Sequence, residues 1–301
     1  MSLRVLAPGT HSLLVDAGRP RTRGLGVPVG GAADRSSFAL GNALVGNRPF
    51  RPALEITLSG PTLIADADTG MCVFGSPFRL DRDGEPLAAG HTFTLVAGQT
   101  LHIGGTPNGC RGYLCVVGGF QAQRVLDSAT AFEPVRTGDV LSCDVSQLPG
   151  RDLGQAPATV RPLPQAGNLW LRLLPGAQAD WFDNSFVSQI YHVTPASNRM
   201  GVRLDGKPLT LPNRELVSEP VAPGAVQITN DGKPIILGVD GQTIGGYPKV
   251  AHVISADLDV VGQLRPGHAV HFQLLSESAA EDAAARQREE LRRWLKRLSL
   301  A

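Results

Sequence analysis

The residues best suited to chemistry lie in one glycine-rich stretch, residues 238–249. It follows an apolar run, Pro234-Ile235-Ile236-Leu237, whose pattern predicts a buried strand. Gly245 and Gly246 would let backbone N–H groups approach a ligand with no Cβ in the way. The composition predicts either a binding loop, for an anion or a polarised carbonyl, or a plain turn between strands. The polar side chains of the stretch include a carboxylate, an amide, a hydroxyl and a phenol, at Asp240, Gln242, Thr243 and Tyr247.

The stretch matches neither of two common nucleotide-binding signatures. No Gly-Lys-Ser/Thr follows the loop at P-loop spacing, and Tyr247-Pro248 stands where a dinucleotide fingerprint needs a helix. The four cysteines (Cys72, Cys110, Cys115 and Cys143) never form a Cys-x-x-Cys pair, so we expect reduced thiols and no structural metal. The seven histidines are scattered, and His268 and His271 fall in a strand-like run.

Composition limits the class of protein. The chain has 301 residues, enough for one large or two ordinary domains, and 42% hydrophobic residues, enough for real cores. Gly 35 and Pro 23, with only 5% aromatics, indicate many short strands and tight turns. A net charge of +1 gives no reason to expect a nucleic-acid partner, and the basic residues near the C-terminus share their segment with Glu289 and Glu290, as on a solvated helix face. Neither a signal segment nor a bilayer-length apolar run is visible, so we expect a cytoplasmic location without membrane contact.

Turn signals organise the chain into two mainly β halves. A Pro- and Gly-rich segment, residues 149–167, predicts a linker between domains at 1–148 and 168–277. Asp83-Gly84 and Asp231-Gly232 stand between apolar runs and predict hairpins. Since closure removes exposed sheet edges, we expect each half to be barrel-like. Further turns entering strands are predicted at Gly98, Gly138 and Gly267.

Two helices are predicted among the strands. The first is short, begins after Asp34 as N-cap and stops near Gly46-Asn47. The second, over 278–301, is amphipathic, with acids early and bases late. Its apolar stripe would pack on the protein itself or in an intersubunit contact. The stripe consists of Leu291, Trp294, Leu295 and Leu298.

A series of blocks spread along nearly the whole chain resembles one family. It is the biotin-dependent carboxyltransferase group, which includes allophanate hydrolase subunit 2, the KipA-like proteins and the C component of bacterial 5-oxoprolinase. The most distinctive blocks are Asn198-Arg199-Met200-Gly201 and Gly245-Gly246-Tyr247-Pro248. The other matching blocks are residues 16–20, 24–34, 42–47, 54–57, 60–61, 218–220, 256–258, 263–264 and 266–267.

The resemblance implies a fold, an activity and partners. It implies a cyclophilin-like β-barrel in each half, and membership of a multi-subunit enzyme that opens 5-oxoproline to glutamate at the expense of ATP. The implied partners are a KipI-like protein, related to the B component of 5-oxoprolinase, and a LamB/YcsF-like A component. ATP would enter through the complex, because the chain has no nucleotide motif of its own. The alternatives are carboxyl transfer from carboxybiotin to urea or a related amide, and a KipA-like regulatory protein without catalysis.

Urea, the ureido ring of biotin and the lactam of 5-oxoproline share a planar N–H beside a C=O. Their chemistry needs a group that guides the amide proton and donors aimed at the oxygen. The resemblance therefore implies catalytic roles for Asp240, Asn198 and Tyr247. It implies substrate-binding roles for Arg199, Met200, Gln242, Thr243, Gly245, Gly246, Asp34 and Arg19.

Structural alternatives remain for several of these residues. Asp34 is equally explained as a helix cap, and Asn198-Arg199 as turn residues rather than a bidentate carboxylate site. Arg19 would brace a turn, and Tyr247 would be an aromatic residue at a barrel rim. Glu55 falls in an apolar run, where a buried carboxylate needs a partner such as Arg.

The chain departs from the usual family pattern in four places. Relatives tend to have Gln at position 15 and Gly at position 21, and here these are Val15 and Arg21. The middle block has lost a glycine and an arginine around Ala129, and Gly241 stands where Arg usually follows the loop aspartate. These changes remove potential anion or amide contacts.

Overall fold

The computed structural model describes residues 2–151 and 169–300. They form two compact units, of which the first contains residues 2–19, 30–151 and 290–300. The second contains residues 20–29 and 169–289. The predicted linker, residues 149–167, lies outside the described part of the chain from residue 152 onward. The domain limits based on this linker therefore stay predictions.

Two antiparallel sheets build the first unit. Their strands are β1 (Ser2–Ala7), β2 (His11–Val15), β3 (Ala53–Thr57), β4 (Thr62–Ala65), β5 (Thr69–Gly75), β6 (Leu80–Arg82), β7 (Glu85–Leu87), β8 (Thr92–Leu95), β9 (Thr100–Ile103), β10 (Arg111–Val116) and β11 (Val140–Ser142). One sheet has the order β11-β1-β4-β9-β6-β7 and the other the order β2-β3-β10-β5-β8. Residues of both sheets, such as Leu3, Leu63, Ile56 and Leu114, share one buried apolar cluster. The core of this unit therefore lies between the sheets.

Helix α1 (Arg35–Leu44) packs on the five-stranded sheet. Asp34 is its N-cap, because the carboxylate accepts hydrogen bonds from the Ser37 backbone N at 2.9 Å and the Ser37 hydroxyl at 2.7 Å. The ring of Phe38 lies 5.4 Å from that of Tyr113 on β10. Gly46, at φ +80°, follows the last turn. The predicted start and end of this helix are confirmed.

The second unit contains a closed barrel. The strands of the unit are β12 (Leu169–Pro175), β13 (Tyr191–Val193), β14 (Gly201–Asp205), β15 (Glu219–Pro220), β16 (Ala225–Ile228), β17 (Pro234–Leu237), β18 (Ile244–Gly245), β19 (Lys249–Val253) and β20 (Ala269–Leu274). Its helices are α2 (Ser185–Ser188) and α3 (Leu258–Gly262), and α4 (Glu277–Leu300) begins in this unit and ends in the first. The barrel order is β12-β19-β16-β17-β14-β13-β20, and a parallel β12–β20 pair closes it. Strands β15 and β18 form a separate two-stranded sheet. Three short 3-10 helices lie at Arg23–Leu25, Ala179–Trp181 and Ser255–Asp257.

The mainly β prediction is confirmed, and the closed barrel occurs in the second half. In the first half the described strands form two facing sheets, with no hydrogen-bonded pairing that closes them into a barrel. Both predicted hairpins are present: Asp83-Gly84 joins β6 to β7, and Asp231-Gly232 lies between β16 and β17. Glycines at positive φ precede β9, β11 and β20, as predicted for Gly98, Gly138 and Gly267.

Helix α4 contributes to both cores. Ala280 and Ala283 in its first half are buried with Ile254 and Ala256. The apolar stripe of its second half joins the cluster of Phe38, which confirms packing on the protein itself. Across the part of the chain that the structure describes, no helix has the length and apolarity to span a membrane.

Candidate functional site

The candidate site lies on the outer face of the barrel. Strand residues alternate between the two faces of a sheet, and Val202, Val226 and Ile236 point into the barrel core. Arg203, Gln227 and Ile235 therefore point outward. They contribute to an open cleft of about 390 Å³, which we call the outer cleft. Its walls are Asn198, Met200, Gly201, Arg203, Gln227, Thr229, Asn230, Asp231, Ile235, Leu237, Gln242 and Tyr247.

A tight turn leads into β14 at one side of the cleft. The side-chain Oδ1 of Asn198 accepts hydrogen bonds from the backbone N of Met200 at 2.8 Å and of Gly201 at 3.3 Å. This is the turn role that Asn favours by bonding to backbone two residues on. Because Oδ1 is engaged, Nδ2 is the group of Asn198 that can donate to a ligand.

The loop after β17 packs closely against that turn. The backbone N of Gly238 donates to the Met200 carbonyl at 2.9 Å, and a Cβ on Gly238 would lie 2.2 Å from the Arg199 oxygen. Only glycine fits there without a shift of backbone. The loop and the turn are thus held as one structure by backbone contact.

Arg199 and Asp240 pair with each other. Nε of Arg199 lies 2.6 Å from Oδ2 of Asp240 and Nη2 lies 3.0 Å from Oδ1, a bidentate arrangement. The Arg199 side chain is 7% exposed and that of Asp240 is 32% exposed. The guanidinium expected to bind a substrate carboxylate therefore already binds a carboxylate of the chain. A catalytic role of Asp240 in guiding the amide proton stays a prediction, and its carboxylate oxygens keep lone pairs that the guanidinium does not occupy.

Gln227 is a buried site residue that the sequence analysis missed. It is 1% exposed, and its Nε2 donates to the Tyr247 carbonyl at 3.2 Å. Its Oε1 is buried and has no hydrogen-bond partner. An amide in an apolar strand, Ala225–Ile228, was the available signal, because a buried polar side chain costs free energy unless it is paired. A ligand N–H at Oε1 would satisfy it.

The structure brings four of the predicted residues together on the cleft wall: Asn198, Met200, Gln242 and Tyr247. The others of this region lie in the supporting turn and loop. The Thr243 carbonyl accepts from the Val221 backbone N at 3.0 Å. Gly245 pairs with Glu219, and Gly246 is exposed beside Ser218.

Charged groups anchor the far side of the loop. Nζ of Lys249 lies 3.0 Å from Oε1 of Glu219, and Gln178 donates to the same oxygen at 3.1 Å. Arg23 donates from Nη2 to the Gln242 carbonyl at 3.0 Å and also to the Val221 carbonyl. Together with the β15–β18 pairing, these contacts fix the backbone that carries Gln242, Gly245 and Tyr247.

Asp34 and Arg19, also predicted for the site, belong to the first unit. Asp34 caps α1, and its backbone N donates to the Tyr113 hydroxyl at 2.8 Å. The Arg19 guanidinium donates to the Thr130 carbonyl and lies 4.2 Å from the centroid of the Phe132 ring. These contacts show structural roles, and substrate binding by either residue stays a prediction.

Two buried carboxylates support this part of the first unit. Glu55 has the Arg partner expected for it, since Arg111 Nε lies 3.3 Å away, and Tyr113 donates to Glu55 at 3.0 Å. Burial alone would raise the pKa of Asp16. Hydrogen bonds from Ser128, Ala129, Gly18 and Thr130 outweigh it and hold that pKa below its usual value.

The outer cleft offers mainly neutral hydrogen-bonding groups. Its walls carry carboxamides, a phenol, a hydroxyl, one guanidinium and the carboxylate of Asp231. Within residues 2–151 and 169–300, no group of three His, Cys, Asp or Glu side chains could hold a metal ion. The arrangement can therefore accept an N–H at Gln227 and donate to an oxygen from Asn198 or Gln242.

Comparison with known proteins gives the family. The profile of the carboxyltransferase domain, subdomain A and B, matches residues 25–274. The chain belongs to this family. The match includes every part of the outer cleft.

Named relatives agree with this assignment. The chain is 32% identical over 304 residues to the C component of 5-oxoprolinase from Haemophilus influenzae, covering 95% of each chain. It resembles the crystal structure of TTHA0988 with a TM-score of 0.81 and 37% identity, over 90% of this chain and 56% of that one. It resembles the urea amidolyase of K. lactis with a TM-score of 0.87 and 30% identity, over 97% of this chain and 20% of that one.

Proposed function

We propose that this chain is the C component of a 5-oxoprolinase, which opens the lactam of 5-oxoproline to glutamate with consumption of ATP. The observation that carries the proposal is the unpartnered Oε1 of Gln227 at the wall of the outer cleft. A lactam N–H can donate to this oxygen, while Asn198 or Gln242 donates to the lactam carbonyl. The coverage of 95% in both directions against a relative named as this component supports the same conclusion.

The proposal includes partners. Relatives that are named as one component of 5-oxoprolinase work within a multi-subunit assembly. We therefore assign this chain a KipI-like B component and a LamB/YcsF-like A component in the cytoplasm. ATP binds elsewhere in the assembled enzyme in this proposal, because the residues of the outer cleft do not form a glycine-rich phosphate-binding motif. The chain supplies amide recognition.

Assembly and turnover provide the direct test. The chain is co-expressed with the proteins encoded beside it, the complex is verified by size, and 5-oxoproline-dependent ATP hydrolysis and glutamate release are measured. We expect both products in equal amounts. A verified complex that releases no glutamate would contradict the 5-oxoprolinase function.

A variant pair tests the site itself. Gln227→Met keeps the length of the side chain but removes its hydrogen-bonding groups, and we expect kcat/KM to fall about 10-fold or more, since such a bond is worth about 1–3 kcal/mol. Gln273→Met changes an exposed glutamine on β20 and serves as the matched control. Full activity of Gln227→Met would remove Gln227 from the site.

A second candidate is carboxyl transfer from carboxybiotin to urea or a similar amide. The 30% identity and TM-score of 0.87 to the K. lactis urea amidolyase favour it. It predicts urea-dependent turnover when a biotin carboxylase and a biotinylated carrier are supplied. A KipA-like regulatory role without catalysis predicts instead that partner binding is stoichiometric and that no turnover depends on Gln227.

A further inference from the structure

Three residues form a straight row across the floor of the outer cleft. Ile235 on β17 lies directly opposite Gln227 on β16 and directly opposite Arg203 on β14. Directly opposite residues project from the same face, so these three side chains stand side by side. Since neighbouring strands are about 4.8 Å apart, the backbones of Gln227 and Arg203 are separated by about 10 Å.

The middle of the row is apolar. A Cβ at Gly201 would lie 2.8 Å from Cδ1 of Ile235, so the isoleucine side chain occupies the space that Gly201 leaves open. Leu237, 5% exposed, follows two residues later on the same face. A small ring or a pair of methylene groups can pack on this floor between the two polar ends.

Arg203 supplies an unpaired cation at the second end. The other cations near the cleft have carboxylate partners: Arg199 binds Asp240, and Lys233 lies 2.7 Å from Asp205. In the described part of the chain no carboxylate lies within ion-pair distance of the Arg203 guanidinium, which belongs to an exposed side chain. A guanidinium in this setting matches a ligand carboxylate by geometry and charge.

The acid on the cleft wall, Asp231, is occupied within its own turn. Its Oδ1 accepts from the Thr229 hydroxyl at 2.5 Å and from the backbone N of Lys233 at 3.2 Å. The Thr229 hydrogen bond is the main cause that lowers the pKa of Asp231, so the group is charged but bound. Asp231 is therefore not the ion-pair partner of Arg203.

We propose that Arg203 binds a carboxylate of the substrate, so that the cleft selects small amides or lactams that carry a carboxylate over those that do not. Gln227 takes the amide N–H, Ile235 supports the carbon skeleton, and Arg203 takes the anion. Binding of the amide N–H by Gln227 rests on the proposed function. Binding of a carboxylate by Arg203 distinguishes 5-oxoproline, which carries a carboxylate, from urea, which does not.

Matched ligand pairs test the inference on the full chain. The affinities of 5-oxoproline and its uncharged counterpart 2-pyrrolidinone, and of N-carbamoylglycine and urea, are measured by calorimetry or NMR titration. We expect Arg203→Gln to weaken each carboxylate ligand about 10- to 100-fold, as for loss of a charged hydrogen bond, and to change each uncharged ligand less than about 2-fold. Arg203→Lys should recover part of the loss.

The control is Arg136→Gln, the same change at an exposed arginine of the first unit. Equal weakening of charged and uncharged ligands by Arg203→Gln, or no weakening, would overturn the inference. So would a wild-type chain that binds none of the four ligands.

Failure of the proposed function is distinguishable from failure of the inference. Selective loss of N-carbamoylglycine without any binding of 5-oxoproline would keep the role of Arg203 and reject the lactam. Turnover of 5-oxoproline with an unchanged KM in Arg203→Gln would keep the function and reject the role of Arg203.

Discussion

Gln227 is positioned in part by a residue that has no side chain. A Cβ on Gly245 would lie 2.6 Å from Nε2 of Gln242 and 2.9 Å from Nε2 of Gln227. Real Cβ atoms do not approach other atoms so closely, so the two carboxamides use the space that glycine leaves. Glycine at position 245 is therefore needed for the space that it leaves to two side chains. Its backbone conformation does not require glycine, because its φ is not in the left-handed region.

Gly245→Ala should damage the site without damaging the barrel. We expect kcat/KM of the assembled enzyme to fall at least about 10-fold, because both carboxamides must move. Gly105→Ala, at an exposed glycine of the first unit, is the matched control, since its Cβ would meet only the Leu58 backbone oxygen, at an ordinary contact distance of 3.8 Å. The unfolding midpoint in urea should change little for either variant. Equal activity of the two variants would contradict the packing argument.

Asp16 should make folding sensitive to acid. Its folded-state pKa lies below the ordinary value of 3.8, so its hydrogen bonds stabilise the fold in full above that value. The contribution is lost as pH falls through the lowered pKa. Asp16→Asn should therefore be about 1–3 kcal/mol less stable than wild type at pH 7 and approach wild type at the lowest pH.

Denaturant unfolding at a series of pH values measures this difference. The exposed change Asp282→Asn on α4 is the control. A gap between wild type and Asp16→Asn that stays constant down to acid pH would show that the carboxylate charge does not contribute.

At the scale of elements, the loop between β17 and β19 is held from three sides. The Arg199–Asp240 pair joins it to the turn before β14, Arg23 binds the Gln242 carbonyl, and β18 pairs with β15. Gly241 is packed as well, since a Cβ there would lie 2.9 Å from the Gly238 oxygen. Here the backbone leaves no room for the arginine that the family resemblance leads us to expect at this position.

The last turns of α4 should contribute measurably to stability. Leu298 is 8% exposed and belongs to the cluster that contains Phe38 and Tyr113. We expect Leu298→Ala to lower the free energy of unfolding by about 2–4 kcal/mol, as for other large-to-small changes in a core. Lys296→Ala, exposed on the same turns, should change it by less than about 0.5 kcal/mol. Urea denaturation measures both, and equal effects would contradict packing of the stripe.

At the scale of the whole molecule, the four cysteines test the predicted reduced state. All four are buried and none of them forms a disulfide, and burial raises the pKa of Cys115 and of Cys143. Cys72 and Cys115 lie directly opposite each other on β5 and β10. A thiol reagent should therefore label none of them in the native protein and all four in denaturant. Two labelled thiols in denaturant would instead indicate a disulfide.

Local chemistry explains what could be predicted from the sequence. A capping Asp34, the Asp-Gly turns and the spacing of the α4 stripe act over a few residues, so they specify hairpins and helices without knowledge of the rest. The loop at 238–249 was visible for the same reason, as glycines and polar groups after an apolar run. Resemblance to the family added the turn at residues 198–201.

Only the tertiary structure decided which side chains share the outer cleft. In the sequence, Gln227 is one polar residue in a strand and Arg203 is one charged residue. The strand register places both of them beside Ile235. The partner of Arg199 was likewise decided by contact between a turn and a loop that are far apart in sequence. The physical reason is that strand register is set by burial of the whole apolar face, which no local pattern specifies. The loop was thus visible in the sequence as a candidate binding loop, whereas the cation beside it, and with it the proposed preference for a carboxylate, came from the barrel.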